Sequence, residues 1–210
     1  FYIYSILHSN AYRELFAGSL RIDFPHVPMP GSKSLFNDLV VIGEQLVSWQ
    51  TLESATAKAI KATEHPSVSG VPVFFGRDRQ LVQVGDKGRG LADLRATDDG
   101  PCGRVRINAT SGFDGVLESV WQHSVGGYQV LHKWLDDRRK AGRSLSDEDL
   151  AHWRRIYAAV RASQRLMEQV DEVVESHGGW PTVAGEGGAF SLNHPPPSAE
   201  ALAAQAAARP

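Results

Sequence analysis

Apolar residues over the first twenty positions fall at Ile3, Ile6, Leu7, Leu15, Phe16 and Leu20, close to the three- and four-residue spacing of one helical face, and predict a helix over residues 1–20. Pro25, Pro28 and Pro30 follow; each lacks a backbone donor and restricts the residue before it, so 23–30 is expected to be extended. Ser34 suits an N-cap, with Asp38 in the first turns, and Leu35, Phe36, Leu39, Val40, Ile42, Gly43, Leu46, Val47 and Trp49 predict a largely buried helix running to about Ala62.

After His65-Pro66 the period changes from about 3.6 to two. Val71 to Phe75 and Gln80 to Val84 read as strands joined by a short turn over residues 76–79. Residues 85–103, rich in Gly and Asp, are expected as loop, and 103–108 as a strand with Val105 and Ile107 on one face. Val116 to Trp121 reads as a short strand among Gly112, Gly115, Gly126 and Gly127, and residues 129–140 as a helix ending near Gly142. Ser146 with Asp149 three residues on forms a capping box in which Asp replaces the usual Glu. Leu150, Trp153, Ile156, Tyr157, Val160, Gln164, Met167, Val170 and Val174 then make one helical stripe. A helix of about 28 residues would be roughly 42 Å long, a spacer or strut, and His177-Gly178-Gly179 would end it. The Gly-, Pro- and Ala-rich residues 180–210 are expected to be mostly disordered.

No apolar run is long enough to cross a membrane, and the apolar start lacks a basic flank and a small-residue cleavage site. Without an initiator Met, the chain is expected to be a piece of a longer protein. A single cysteine, Cys102, excludes an internal disulfide and a multi-cysteine metal site, and suits a reducing, cytoplasmic setting. The net charge of −2 conceals an uneven distribution. Residues 133–165 hold nine Lys/Arg against five Asp/Glu, whereas 166–210 hold one against six. A phosphate backbone responds to such a basic stretch rather than to the whole-chain sum, although a solvated helix surface explains the same composition.

Catalytic signatures are lacking. There is no GxxxxGK[ST] loop, no GxGxxG after a strand, no GxSxG elbow and no HExxH pair. The glycines of residues 85–90 have the wrong spacing for a nucleotide site. Cys102 has no neighbouring base, and His123 with His132 makes a poor metal pair. Asp136-Asp137 lies beside Arg138, Arg139 and Lys140 as on a charged helix surface, and Asp147-Glu148-Asp149 sits where a helix N-terminus favours acids.

One stretch, residues 121–143, combines a glycine pair, an aromatic and cations. Gly126-Gly127 permits positive φ and close backbone approach, Tyr128 follows, and Lys133, Arg138, Arg139 and Lys140 lie beyond. Two readings stand: a place where the backbone comes near a phosphate, or a plain strand-to-helix turn with Tyr128, Leu131, Trp134 and Leu135 in the core. The second is favoured for the aromatics and leucines.

These residues resemble a known family, as do Tyr2-Ile3-Tyr4-Ser5-Ile6-Leu7-His8-Ser9 with Tyr12-Arg13; Asp23-Phe24-Pro25-His26-Val27-Pro28; Gly103 to Asn108; Gly126-Gly127-Tyr128-Gln129-Val130-Leu131 with Lys133-Trp134-Leu135 and Arg138; and Leu145-Ser146-Asp147-Glu148-Asp149 with Ile156, Leu166-Met167 and Asp171. The chain is similar to the C-terminal specificity region of the type I single-polypeptide (type ISP) restriction-modification enzymes; Arg161-Ala162-Ser163 departs from it where a Thr-containing stretch is expected. The resemblance implies bacterial enzymes that carry a nuclease, an ATP-driven translocase, an N6-adenine methyltransferase and a target recognition domain on one chain. It implies an α+β fold: a mixed α/β target-recognition domain with a small β-sheet, flanked by an N-terminal helical segment and a long C-terminal helix. Residues 1–30 would leave a methyltransferase domain, 31–130 would read DNA, 131–176 would be helical support and 177–210 a tail. The partners implied are double-stranded DNA and the methyltransferase and translocase domains of the parent chain. S-adenosylmethionine, ATP and Mg would belong to the parent, and no cofactor to this segment, which lacks the methyltransferase's Asn-Pro-Pro-Tyr motif.

From residue type and segment, Arg77, Arg79, Gln83, Lys87, Arg89, Arg104 and Arg106 are the candidates for base contacts, and Lys133, Arg138, Arg139 and Arg143 for phosphate contacts. Two rival readings are a helical coupler that docks other domains without touching DNA, and a hydrolase with a scattered active site, for which no residue pattern speaks.

Overall fold

A computed structural model describes residues 1–61, 66–69, 91–108, 111–142, 144–180 and 190–191. The chain divides into two compact units, one of residues 1–51 with 162–210 and one of residues 52–161. The fold is α+β. The strands expected over 71–75 and 80–84, and the tail beyond residue 180 apart from 190–191, lie outside the described residues.

The first unit begins with three short helices, α1 (Tyr2–His8), α2 (Asn10–Leu15) and α3 (Ala17–Leu20), where one helix was expected. Ser9 is the reason for the first break. It adopts an extended conformation, and its hydroxyl accepts from the Tyr12 amide, starting a new helix. The same hydroxyl donates to Asp171, whose other carboxylate oxygen accepts from the Ala11 amide at 3.3 Å. The proline segment forms no helix and ends in β1 (Met29–Pro30). Two tyrosines fasten it: Tyr2 Oη donates to Pro28 O at 2.5 Å and Tyr12 Oη to His26 O at 2.9 Å.

Helix α4 (Lys33–Gln50) is capped by Ser32, not Ser34; Ser32 Oγ accepts from the Leu35 amide at 3.1 Å. The helix stops at Thr51 rather than near Ala62, because Leu52 turns left-handed with φ 59°. Leu35, Leu39, Ile42 and Leu46 point into a core shared with Ile6, Tyr12, Val170 and Val174. At Gly43 a Cβ would collide with the Phe1 carbonyl, so glycine is what allows α1 to lie against α4.

In the second unit, α5 (Ala55–Ala59) is followed by a four-stranded antiparallel sheet of β2 (Ser67–Ser69), β3 (Ala92–Arg95), β4 (Cys102–Arg106) and β5 (Gly112–Leu117), in the order β2-β5-β4-β3. Strand β3 lies where loop was expected; its register shifts between Ala92 and Arg95, and Asp93 has φ 52°. β4 runs close to the expectation for 103–108, with Val105 paired to Phe113. Residues 118–121, expected as strand, form α6 (Glu118–Gln122), which buries the consecutive residues Val120 and Trp121 as a flat strand could not do on one face.

The hairpin β6 (Ser124–Val125) and β7 (Tyr128–Gln129) leads into α7 (Val130–Ala141), which Gly142 closes at φ 70°. Helix α8 (Asp147–Ser176) has 30 residues and starts at the capping box, where Asp149 accepts from the Ser146 amide at 3.0 Å and Ser146 Oγ accepts from the Asp149 amide at 3.2 Å. Residues 147–161 belong to the second unit and 162–176 to the first. Phe113 stacks on Trp153 at 3.8 Å, and Leu131, Leu135, Ile107 and Val116 complete that core. β8 (Phe190–Ser191) pairs with β1.

Candidate nucleic-acid interface

Of the eleven residues proposed from the sequence, Arg104, Arg106, Lys133, Arg138 and Arg139 are described; Arg77, Arg79, Gln83, Lys87, Arg89 and Arg143 lie outside the described residues. The five fall on two elements of the second unit, β4 and α7.

Arg104 and Arg106 are two apart on β4, so both leave the face opposite the buried Val105. Neither is a bare cation. Arg104 lies 3.4 Å from Asp114, its register partner on β5, and Arg106 lies 2.9 Å from Asp93.

On α7, Leu131 and Leu135 are fully buried; Lys133, Asp137 and Lys140 are exposed, whereas Asp136, Arg138 and Arg139 are half-buried. Lys133 pairs with Asp137 at 2.5 Å, four residues on. Asp136 accepts from Arg139 Nε at 3.0 Å and lies 2.8 Å from Lys140 Nζ. The bond from Lys140, followed by that from Arg139, holds the Asp136 carboxyl down to about 2, and the same bond raises the Lys140 ammonium. Arg138 lies with its guanidinium 3.6 Å above the Trp134 ring and 3.8 Å from Asp149, an ion pair longer than a hydrogen bond. His152 packs its ring against Trp134; burial first, then Arg155 and Arg138, lowers its pKa.

The described cations are thus partly neutralised by neighbours that segment-wise counting did not assign to them. Over α7, four Lys/Arg still face two Asp, so the helix keeps a positive excess.

The glycine pair makes a two-residue hairpin turn, with φ 58° at Gly126 and 82° at Gly127, rather than a strand-to-helix turn. Tyr128, expected in the core, is 61% exposed, and Val125 opposite it is 62% exposed. The Val-Gly-Gly-Tyr sequence is the signal that could have shown this, since a glycine pair between apolar residues favours the left-handed turn that closes a hairpin. Also unforeseen is Arg154, buried on α8 with Nε donating to Pro66 O at 2.7 Å.

Cys102 is buried in the sheet core, away from solvent. Among the described residues there is no group of three His, Cys, Asp or Glu that could hold a metal, and no helix long and apolar enough to cross a membrane.

The solved structures that resemble the chain include two. One is a nuclease-deletion mutant of the Type ISP restriction-modification enzyme LlaGI in complex with a DNA substrate mimic, 18% identical with a TM-score of 0.48, over 82% of this chain and 15% of that one. The other is the ATP-dependent Type ISP restriction-modification enzyme LlaBIII bound to DNA, 16% identical with a TM-score of 0.47, over 82% of this chain and 11% of that one. The chain therefore spans less than a sixth of the length of either enzyme. No curated protein sequence matches it. The sequence model of the Type ISP C-terminal specificity domain matches residues 1–169, and the chain belongs to that family.

Proposed function

We propose that this chain reads a specific sequence of double-stranded DNA on behalf of a restriction-modification enzyme. The observation that carries the reading is the family match over residues 1–169. The DNA-bound state of LlaGI and LlaBIII and the positive excess of α7 agree with it. In this reading the chain has no catalytic step of its own. It holds the target so that a methyltransferase domain of the parent chain can extrude and methylate an adenine at N6, with cleavage also performed elsewhere. S-adenosylmethionine, ATP and Mg would be bound by those other domains, and the methyltransferase and translocase domains would be the protein partners.

Phosphate contacts from Lys133, Arg138 and Arg139 would set register, and side chains such as Arg104 and Arg106 would reach base edges. Each cation would trade an Asp carboxylate for a phosphate or share itself between the two. The test is fluorescence anisotropy with mixed-sequence duplex DNA across a salt series. Binding that weakens steeply with salt, and further in an Arg138→Ala/Arg139→Ala variant, is expected. Absence of binding at low salt by folded protein overturns the reading.

A second reading, a coupler that docks other domains without DNA contact, draws on Phe1, Ile3, Phe24 and Val41, large apolar side chains exposed in the first unit. Under it, replacing the α7 cations would leave DNA specificity of the parent enzyme unchanged.

A further inference from the structure

We infer that the tip of the β6–β7 hairpin, Val125-Gly126-Gly127-Tyr128, is an uncharged finger that enters the major groove of duplex DNA and makes apolar contact with base edges. The inference rests on the DNA-reading function proposed above and assigns part of the base contact to residues other than cations.

Three observations carry it. First, the tip stands free while its root is held. Every residue from Ser124 to Tyr128 is exposed, and a Cβ added at Gly126 or Gly127 would meet nothing within 4 Å. At the root, Gln129 is buried and its Nε2 donates to Trp121 O at 3.1 Å and to Gln122 Oε1 at 2.9 Å. The Val130 amide donates to His123 O at 3.2 Å, and Trp121 and Leu131 on either side are in the core. Such a ribbon presents its tip side chains in a fixed direction.

Second, the chemistry of the tip does not suit open water. From Val120 to Leu131 the chain carries no Asp, Glu, Lys or Arg, and its most exposed members there include a valine and a tyrosine that are register partners. An exposed apolar pair at the tip of a ribbon, with no charged side chain in the hairpin, offers an uncharged contact surface. Third, the charge lies immediately beyond. The hairpin runs directly into α7, whose Lys133, Arg138, Arg139 and Lys140 outnumber Asp136 and Asp137. An apolar tip continuous with a positive helix matches a polyanion whose groove floor is uncharged. The major groove admits a two-stranded ribbon, and the thymine methyl group is its apolar landmark.

The test is selection from duplexes with a randomised core. Retained sequences would be determined for the wild-type protein, for Val125→Ser/Tyr128→Ser and for Arg138→Ala/Arg139→Ala. Both tip side chains are exposed, so thermal unfolding of the tip variant should match wild type. The expected result is a preference of about fivefold or more at one or more positions that the tip variant loses while the others persist. The arginine variant should weaken binding to all sequences alike. A tip variant that selects the same sequences as wild type overturns the inference and leaves the tip to a protein partner. Binding by wild type without any sequence preference, or no binding at all, overturns the DNA-reading function itself.

Discussion

Replacing Asp136 by Asn should tighten DNA binding while making the protein less stable. Asp136 lies between Arg139 and Lys140 and takes hydrogen bonds from both side chains. The amide retains the shape and one acceptor but loses the charge, so the excess on α7 rises by one and two cations become available to phosphate. The ion pairs are only partly sheltered, with Lys140 64% exposed and Asp136 17%, so their loss should lower stability only modestly. Each additional phosphate contact steepens the salt dependence by about 0.9 in log–log slope. Between about 50 and 200 mM salt, the advantage of the variant over wild type should therefore shrink about threefold to fourfold per added contact. Anisotropy titrations at four or more salt concentrations measure both affinity and slope, and urea unfolding measures the stability. Equal or weaker binding at low salt, or an unchanged slope, would refute the reasoning and show that α7 does not face the duplex.

Three further outcomes follow from the geometry. Asp149→Ala removes the acceptor for the Ser146 amide and hydroxyl and the anion beside Arg138, and should destabilise the protein by about 2–3 kcal/mol in urea; a loss below about 0.5 kcal/mol would contradict the capping-box account. Ser32→Ala should cost about 1 kcal/mol and Ser34→Ala less than about 0.5 kcal/mol, because only Ser32 caps α4; the reverse order of unfolding midpoints would restore Ser34 as the cap. His8 is lowered from its usual pKa, by burial first, while a hydrogen bond to the Tyr4 carbonyl opposes and Arg13 adds to the lowering. The unfolded chain then takes up its proton at higher pH than the folded one. Stability should be full above about pH 6.5 and decline as pH falls towards the folded pKa. His8→Gln should flatten part of that decline in midpoints measured between about pH 5 and 8, and an unchanged slope would sink the assignment.

Local signals were legible in the sequence and non-local ones were not. The stripe from Leu150 to Val174, the Ser146–Asp149 box and the glycine closing α7 depend on residues within a turn or two of one another, and the structure contains all three. The α4 pattern was equally clear, yet its end was misplaced, because Leu52 adopts a left-handed conformation that a leucine gives no reason to expect. Ser9 broke the first helix through a cap that is reinforced by Asp171, more than 160 positions away. β3 was hidden because its irregular register gives no clean alternation. The partners of Arg104 and Arg106, Asp114 and Asp93, come from neighbouring strands, and charge counts along the chain could not pair them. Tyr128 was misread because an aromatic next to apolar residues is more often core, and the hairpin that turns it outward depends on the glycines before it.

The setting of Arg138 has a kinetic consequence. An arginine on a bare helix surface gives up about 2 kcal/mol of rotamer freedom when an anion clamps it. Here the Trp134 ring beneath the guanidinium and Asp149 beside it already restrict the side chain. Folding has absorbed most of that ordering, so under the proposed DNA-reading function a phosphate would meet a preorganised fork. The benefit of preorganisation should appear as longer residence rather than faster encounter, since long-range attraction depends on charge and not on how tightly the charge is held.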